Sequence, residues 1–272
     1  MNLRKSLVKI CSTVFPNLVV SYAYQQLTSP QVKKLRANEM VVLDKSVKEI
    51  LPFKGFDIQL YTWQGGENKV LLVHGWEGQA GNFADLIEKL IEKNYTIYAF
   101  DAPSHGFSSK GKTSLFEFID LVDLLIKKYQ VTKLVSHSFG GVATTYALSV
   151  SKEVLIEKYL LLTVPDRFSE RIDDVMAVVG ITEKVKRKLI KKFENETKMS
   201  VNAMNVSDFV KNVNVQQALI IQDVKDRIIP IARAKNVQRN WKNSALIEIQ
   251  GTGHFSILRN DDVLNKSIEF LN

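Results

Sequence analysis

Cysteine is almost missing from this chain: Cys11 stands alone among 272 residues. A single thiol excludes an internal disulfide and fits a reducing, cytoplasmic setting. Metal-ligand spacing is missing too, because His74, His105, His137 and His254 are scattered along the sequence and the cysteine is remote from them. No bound metal is expected. There is no glycine-rich phosphate loop of Rossmann or Walker type, and no cofactor is expected. Internal repeats and low-complexity segments are also lacking. The net charge of +8 comes with no nucleic-acid-binding motif or aromatic-basic cluster, so nucleic acid is not an expected partner. Such a charge suits an anionic substrate or an acidic membrane surface, but many cytosolic proteins are as basic without a specific reason. No uncharged run is long enough to span a bilayer, which argues against stable membrane insertion. The nearest approach, Val14 to Tyr24 behind Arg4, Lys5 and Lys9, is interrupted by Pro16 and Asn17 and lacks a small-residue cleavage site. It reads as an amphipathic helix docked on the core, with peripheral membrane contact as the alternative.

What is present is ordinary in amount and informative in order. Hydrophobic residues make up 45% and charged residues 24%, as in a soluble globular protein of one α/β domain with or without an insertion. Residues 1–44 read as mostly helical, with a break near Thr28-Ser29-Pro30. Lys45 to Phe53 and Phe56 to Trp63 alternate apolar and polar residues around Lys54-Gly55, the pattern of a hairpin. From Val70 onward short apolar runs (70–74, 95–100, 133–136, 158–163, 218–222 and 245–249) alternate with helical periodicity at 83–91, 115–129, 142–150, 231–241 and 261–271. That alternation predicts a mainly parallel sheet with helices on both faces. It lapses between Pro165 and about Asn212, where only helical segments are expected, at 170–179, 183–193 and 201–210. The expected domains are a helical segment at 1–44 packed on the core, a core at 45–166 and 213–272, and a helical lid at 167–212 over the strand ends.

The chemistry centres on Val131 to Gly141, VTKLVSHSFGG. A β-favouring run, a sharp turn and a helix, with Ser138 at the apex, have the form of a nucleophile elbow. Small residues are needed two positions to either side, and Ser136 and Gly140 occupy them. A serine hydroxyl needs a base, and the base needs an orienting carboxylate. His137 adjoins Ser138 and should point away from it; His74 and His105 follow earlier strands and suit structural roles. His254 remains, in the loop GTGHF after the last strand, and is the expected base. The carboxylate is expected in the loop after the strand at 218–222. Asp226 is favoured for its place in that loop, with Asp223 and Asp166 as alternatives. The backbone amides of Phe139, just after the nucleophile, and Trp76, in the turn His74-Gly75-Trp76-Glu77-Gly78, are expected to stabilise an oxyanion. His74, Glu77, His137 and Phe255 are candidate pocket residues.

On these residues the chain resembles the α/β-hydrolase superfamily over roughly 45–272. The carrying segments are HGWEG at 74–78, DAPSHGFS at 101–108, SHSFGG at 136–141, DRIIP at 226–230 and GTGHF at 251–255. The order Ser138, Asp226, His254 is the superfamily's order. Within it the chain looks like the bacterial, esterase-like serine hydrolases with an HGWEG oxyanion loop. Serine stands where glycine is usual at 136 and at 104. A serine at the elbow separates the chain from the related dehalogenases and epoxide hydrolases, which carry aspartate there.

The resemblance implies a serine hydrolase that cleaves a small carboxylic ester or thioester through an acyl-enzyme. Competing readings are C–C bond hydrolysis, amide hydrolysis or perhydrolysis on the same scaffold, and a binding protein without catalysis. The lysine-rich stretch from Lys184 to Phe193 reads as a helix with Val185, Leu189, Ile190 and Phe193 on one face and a solvated basic face opposite, or as a recruiter of an anionic acyl substrate or an acidic membrane surface.

Overall fold

A computed structural model describes residues 3–31 and 34–272, with 3–6, 175 and 178 described by backbone alone. The side chains of Arg4 and Lys5 thus lie outside the described residues. The described chain divides into two units, one of residues 1–30 with 167–205, the other of residues 31–166 with 206–272.

The larger unit is built on an eight-stranded sheet. Its strands are β1 (Val47–Phe53), β2 (Phe56–Trp63), β3 (Lys69–Val73), β4 (Thr96–Phe100), β5 (Lys133–His137), β6 (Ile156–Leu162), β7 (Val215–Asp223) and β8 (Ser244–Ile249). The spatial order is β1-β2-β4-β3-β5-β6-β7-β8. The hairpin β1–β2 and the pair β2–β4 are antiparallel, and the remaining pairs are parallel. The antiparallel hairpin and otherwise parallel sheet are the α/β-hydrolase fold expected from the sequence. Burial on both faces explains the continuous apolar runs: in β3, Val70, Leu71, Leu72 and Val73 are all buried, as is every residue of β5. Lys133 is tolerated within β5 because its ammonium donates to Asn68 Oδ1 at 2.9 Å and to the Tyr95 hydroxyl at 3.3 Å.

Helices cover the sheet by turning one stripe inward. In α4 (Ala84–Glu92) the stripe is Leu86, Ile87 and Leu90; in α5 (Leu115–Tyr129) it includes Phe118, Val122 and Leu125. The helix α6 (Phe139–Val150) is buried along most of its length, which its Gly, Ala and Thr residues permit. It starts at Phe139, three residues before the expected Val142. The unit also holds α3 (Ala37–Asp44), α9 (Val206–Phe209), α10 (Ile231–Asn240), α11 (Gly253–Ser256) and α12 (Asp261–Leu271).

The smaller unit contains α1 (Leu3–Val14), α2 (Pro16–Thr28), α7 (Phe168–Val179) and α8 (Glu183–Thr197). Its core is Val20, Met176, Val185 and Leu189, with Val19, Ala23, Tyr24, Ile172 and Ile181 packed around them. Val185 and Leu189 face inward as the periodicity of the lysine-rich stretch predicts. Several of that stretch's lysines are occupied: Lys186 pairs with Asp173, Lys192 pairs with Glu196 at 2.8 Å, and Lys188 donates to Asn17 Oδ1 at 2.6 Å.

Two boundaries differ from the sequence reading. The first 44 residues do not act together, since 1–30 join 167–205 while α3 belongs to the sheet unit. The expected helix at 201–210 is a short 3-10 turn at Val201–Ala203 followed by α9, and α9 also belongs to the sheet unit. Asp166 explains the second difference. Its carbonyl accepts the Val206 amide at 3.0 Å and its carboxylate the Ser207 amide at 2.9 Å, so the chain is fixed to the end of β6 from residue 206.

Candidate active site

Parallel strands place their carboxyl ends along one edge of the sheet, where loops after different strands can meet. The loops after β3, β5, β7 and β8 carry the residues singled out above. After β5 the chain turns sharply: Ser138 has φ 52° and ψ −119° and immediately precedes α6. Positive φ is unusual for a side-chain-bearing residue and is a local strain. Close approach of β3 enforces the glycine at 140. A Cβ there would lie 2.4 Å from the His74 carbonyl oxygen and 2.5 Å from that of Val73.

The other small position of the elbow is Ser136. Its hydroxyl is fully buried and lies 2.8 Å from the Tyr159 hydroxyl, which also reaches the Gly141 carbonyl at 3.4 Å. A Cβ on Gly141 would sit 3.4 Å from Ser136 Oγ. A serine therefore replaces glycine here because β6 supplies a hydroxyl partner and α6 leaves room. Burial raises the Tyr159 phenol to about 12. Ser104, the second serine at a glycine position, has φ 68°, and its Oγ accepts the Gly111 amide at 3.3 Å.

His254 Nε2 stands 3.0 Å from Ser138 Oγ, and its Nδ1 is 2.9 Å from Asp226 Oδ2. The Asp226 carboxylate is wholly enclosed and the imidazole nearly so. Burial pushes the Asp226 pKa up. The hydrogen bond from His254, the amides of Ile229 and Ile228 and the imidazole's charge outweigh it, and the net shift is downward. An ionised Asp226 requires the proton on Nδ1, which leaves the Nε2 lone pair for the serine hydroxyl. Gln222 Nε2 adds a 3.2 Å bond to the same carboxylate oxygen.

The alternatives to Asp226 are occupied elsewhere. Asp223 accepts the amides of Thr252 at 2.6 Å and Gly253 at 2.7 Å, the Thr252 hydroxyl at 3.0 Å and the Lys225 amide at 2.7 Å. It clamps the turn directly before His254, where Gly251 and Gly253 take φ of 90° and 62°. These donors outweigh burial and lower its pKa. The sequence reading missed this clamp; the glycines of GTG at 251–253 were the available signal. Asp166 binds Ser207 and Asn236.

His137 also acts on the His254 loop. Its Nε2–H donates to the His254 carbonyl at 2.9 Å, so its ring faces the histidine loop and not the serine. Burial, followed by the His254 charge, lowers its pKa to about 3. His74, a candidate pocket residue, uses both nitrogens on backbone: Nδ1–H donates to Gly75 O at 2.7 Å, and Nε2 accepts the Ala102 amide at 3.0 Å. At 2% exposure it ties β3 to the loop after β4. Glu77 is exposed, and its carboxylate accepts the Gln31 amide at 3.3 Å. Phe255 is half exposed, with its ring edge-on to His254 at 4.9 Å.

The residues expected to supply oxyanion donors lie together. Gly75 to Gly78 form a turn closed by the Gly78 amide on the Gly75 carbonyl at 3.0 Å, with Trp76 at its second position. The turn packs against the elbow: a Cβ on Gly75 would be 3.3 Å from Ser138 Cβ. The Trp76 and Phe139 rings meet edge to face at 5.2 Å. Phe139 is the first residue of α6, where an amide has no partner within the helix and the helix dipole favours negative charge. Chemically, the constellation can pass a serine proton to a fixed imidazole beside such an amide. No group of three or more His, Cys, Asp or Glu able to hold a metal occurs among the described residues.

The model of the Alpha/beta hydrolase family matches residues 70–266. The uncharacterized hydrolase YugF of Bacillus subtilis (strain 168) is 25% identical over 234 residues, which cover 70% of this chain and 84% of that protein. Among solved structures, an esterase from Exiguobacterium antarcticum superposes with a TM-score of 0.67 at 17% identity, covering 83% of this chain and 99% of that one. A membrane phospholipase A described as a bacterial virulence factor superposes with a TM-score of 0.62 at 15% identity, covering 98% of this chain and 94% of that one.

Proposed function

The chain belongs to the alpha/beta hydrolase family, and from that premise we propose that it is a serine hydrolase cleaving a carboxylic ester or thioester through an acyl-enzyme. The observation that carries this reading is the continuous relay from Ser138 Oγ to His254 Nε2 at 3.0 Å and from His254 Nδ1 to Asp226 at 2.9 Å. Ser138 attacks the acyl carbon while His254 takes its proton; the same proton then goes to the leaving alkoxide or thiolate. Water, deprotonated by His254, attacks the acyl-serine and returns the enzyme with a carboxylic acid as product. Asp226 holds the imidazole in the required tautomer and compensates its positive charge. The amides of Phe139 and Trp76 take the developing oxyanion.

The HGWEG turn at 74–78 supports assignment to the esterase-like branch, and an esterase and a phospholipase A among the solved structures of this fold favour ester chemistry. The insertion at 167–205, placed in the chain between β6 and β7, is proposed to act as the lid that selects the acyl group. Stopped-flow hydrolysis of p-nitrophenyl esters graded by chain length, with matching thioesters, tests the proposal. A burst of p-nitrophenol stoichiometric with enzyme, absent in Ser138→Ala, is the expected result. Turnover that does not require Ser138, or no turnover of any acyl compound by folded protein, contradicts it.

A further inference from the structure

Helices of a water-soluble surface hide their apolar stripe, and α1 does the reverse. Its inward side carries Ser12, fully buried with its hydroxyl unpartnered, and the half-buried Val8. Its outward side carries Leu7, Ile10 and Val14, exposed to 54%, 59% and 58%. The following residues repeat the spacing: Phe15, Leu18 and Tyr22 are exposed to 56%, 69% and 65%. Both triplets fall at i, i+3 and i+7, one face of a helix. The opposite face of α2 is used in packing, through Val19, Val20, Ala23 and Tyr24. Six large apolar side chains in two adjacent stripes are more than the scattered exposure usual on a monomer.

The sequence of these two helices carries charge of one sign: residues 1–30 contain Arg4, Lys5 and Lys9 and no Asp or Glu. Residues 1–30 and 167–205 together hold twelve Lys and Arg against six Asp and Glu, and so six of the chain's eight net positive charges. No single described helix is long and apolar enough to cross a membrane, and α1 and α2 are bent by 118° at Phe15. Exposed apolar side chains on two short helices whose own sequence has cations and no anions match an anionic lipid interface in hydrophobicity and in charge.

We propose that the α1–α2 face is a membrane-docking surface that lies in the headgroup region of an anionic bilayer, with Leu7, Ile10, Val14, Phe15, Leu18 and Tyr22 inserted. Vesicle flotation of the full chain tests this without turnover, so its outcome is separate from that of the hydrolysis assays. The partition coefficient onto phosphatidylcholine vesicles containing phosphatidylglycerol is expected to exceed that onto phosphatidylcholine alone and to fall in high salt. Ile10→Glu with Leu18→Glu, both at exposed positions, should reduce it about tenfold or more without lowering the melting temperature. Lys9→Glu should weaken the preference for phosphatidylglycerol. No partition by the native chain, or equal partition by native and doubly substituted chains, overturns the proposal. So does self-association of the native chain that the double substitution abolishes in the absence of vesicle binding, because the face would then be covered by a second copy.

Discussion

The two units use the same kind of amphipathic helix to opposite ends. In the sheet unit the apolar stripes of α4 and α5 are buried and the polar faces exposed. In the smaller unit α7 and α8 bury a modest core, but α1 and the outer face of α2 leave their largest apolar residues uncovered. The sheet unit carries every residue of the proposed triad, held by backbone donors, whereas the smaller unit carries most of the net charge. Chemistry that needs ångström placement sits on strand ends, and surface chemistry sits on helices that need only a face.

The sharpest way to break this comparison is to damage each unit alone. Asp226→Asn should cut kcat by about 10³–10⁴-fold through loss of the tautomer and of charge compensation. A drop of less than tenfold would place the triad acid elsewhere. Asp223→Asn should lower kcat less, by about ten- to a hundredfold, by loosening the 251–253 turn. Its acid-side stability should change as well. Asp223 and Asp226 have pKa values below the ordinary 3.8, so each contributes stability that is present above that value and is lost as pH falls through the lowered one. Denaturant titrations from pH 5 downward should therefore show a shallower acid loss in Asp223→Asn.

In the smaller unit, Leu189→Ala removes a side chain 2% exposed and should cost about 2–4 kcal/mol, read by calorimetry as an earlier melting of that unit. Coincident loss of the whole endotherm would show that the units melt as one. His137 sharpens the comparison through pH. Its folded pKa of about 3 lies below the ordinary 6.5, so the unfolded chain binds the extra proton between those values. Native stability is full above 6.5 and falls with acid by about 1.4 kcal/mol per pH unit for that residue. His137→Gln should remove one proton's worth of that slope. The smallest effect is expected at Ser104→Gly. Relief of a left-handed φ of 68° should outweigh the loss of a 3.3 Å bond to Gly111 and stabilise the fold by under about 1 kcal/mol.

The sheet unit was legible in the sequence for a physical reason. Strands buried on both faces must be short continuous apolar runs, and 70–74 and 133–136 announce β3 and β5 directly. The elbow was legible because the Gly140 approach to β3 leaves no alternative residue. The pairing of 1–30 with 167–205 was not, since a helix face does not name its distant partner. The end of the insertion was misplaced because α9 is fixed by Asp166, a capping bond between residues 41 positions apart. Asp223 at the end of β7 and Asp226 three positions on in the loop look alike as letters; their donors separate them. His74 was open in the sequence to a structural role and to a pocket role; its bonds to the Gly75 carbonyl and the Ala102 amide fix the structural one.

The central claim, an activated Ser138, is tested most directly by reaction with a fluorophosphonate followed by mass spectrometry of the peptides. A single phosphonylated residue is expected at Ser138, with labelling slowed by at least about a hundredfold in His254→Ala. A folded native protein that takes no label, or one labelled elsewhere at a rate indifferent to His254, would contradict it.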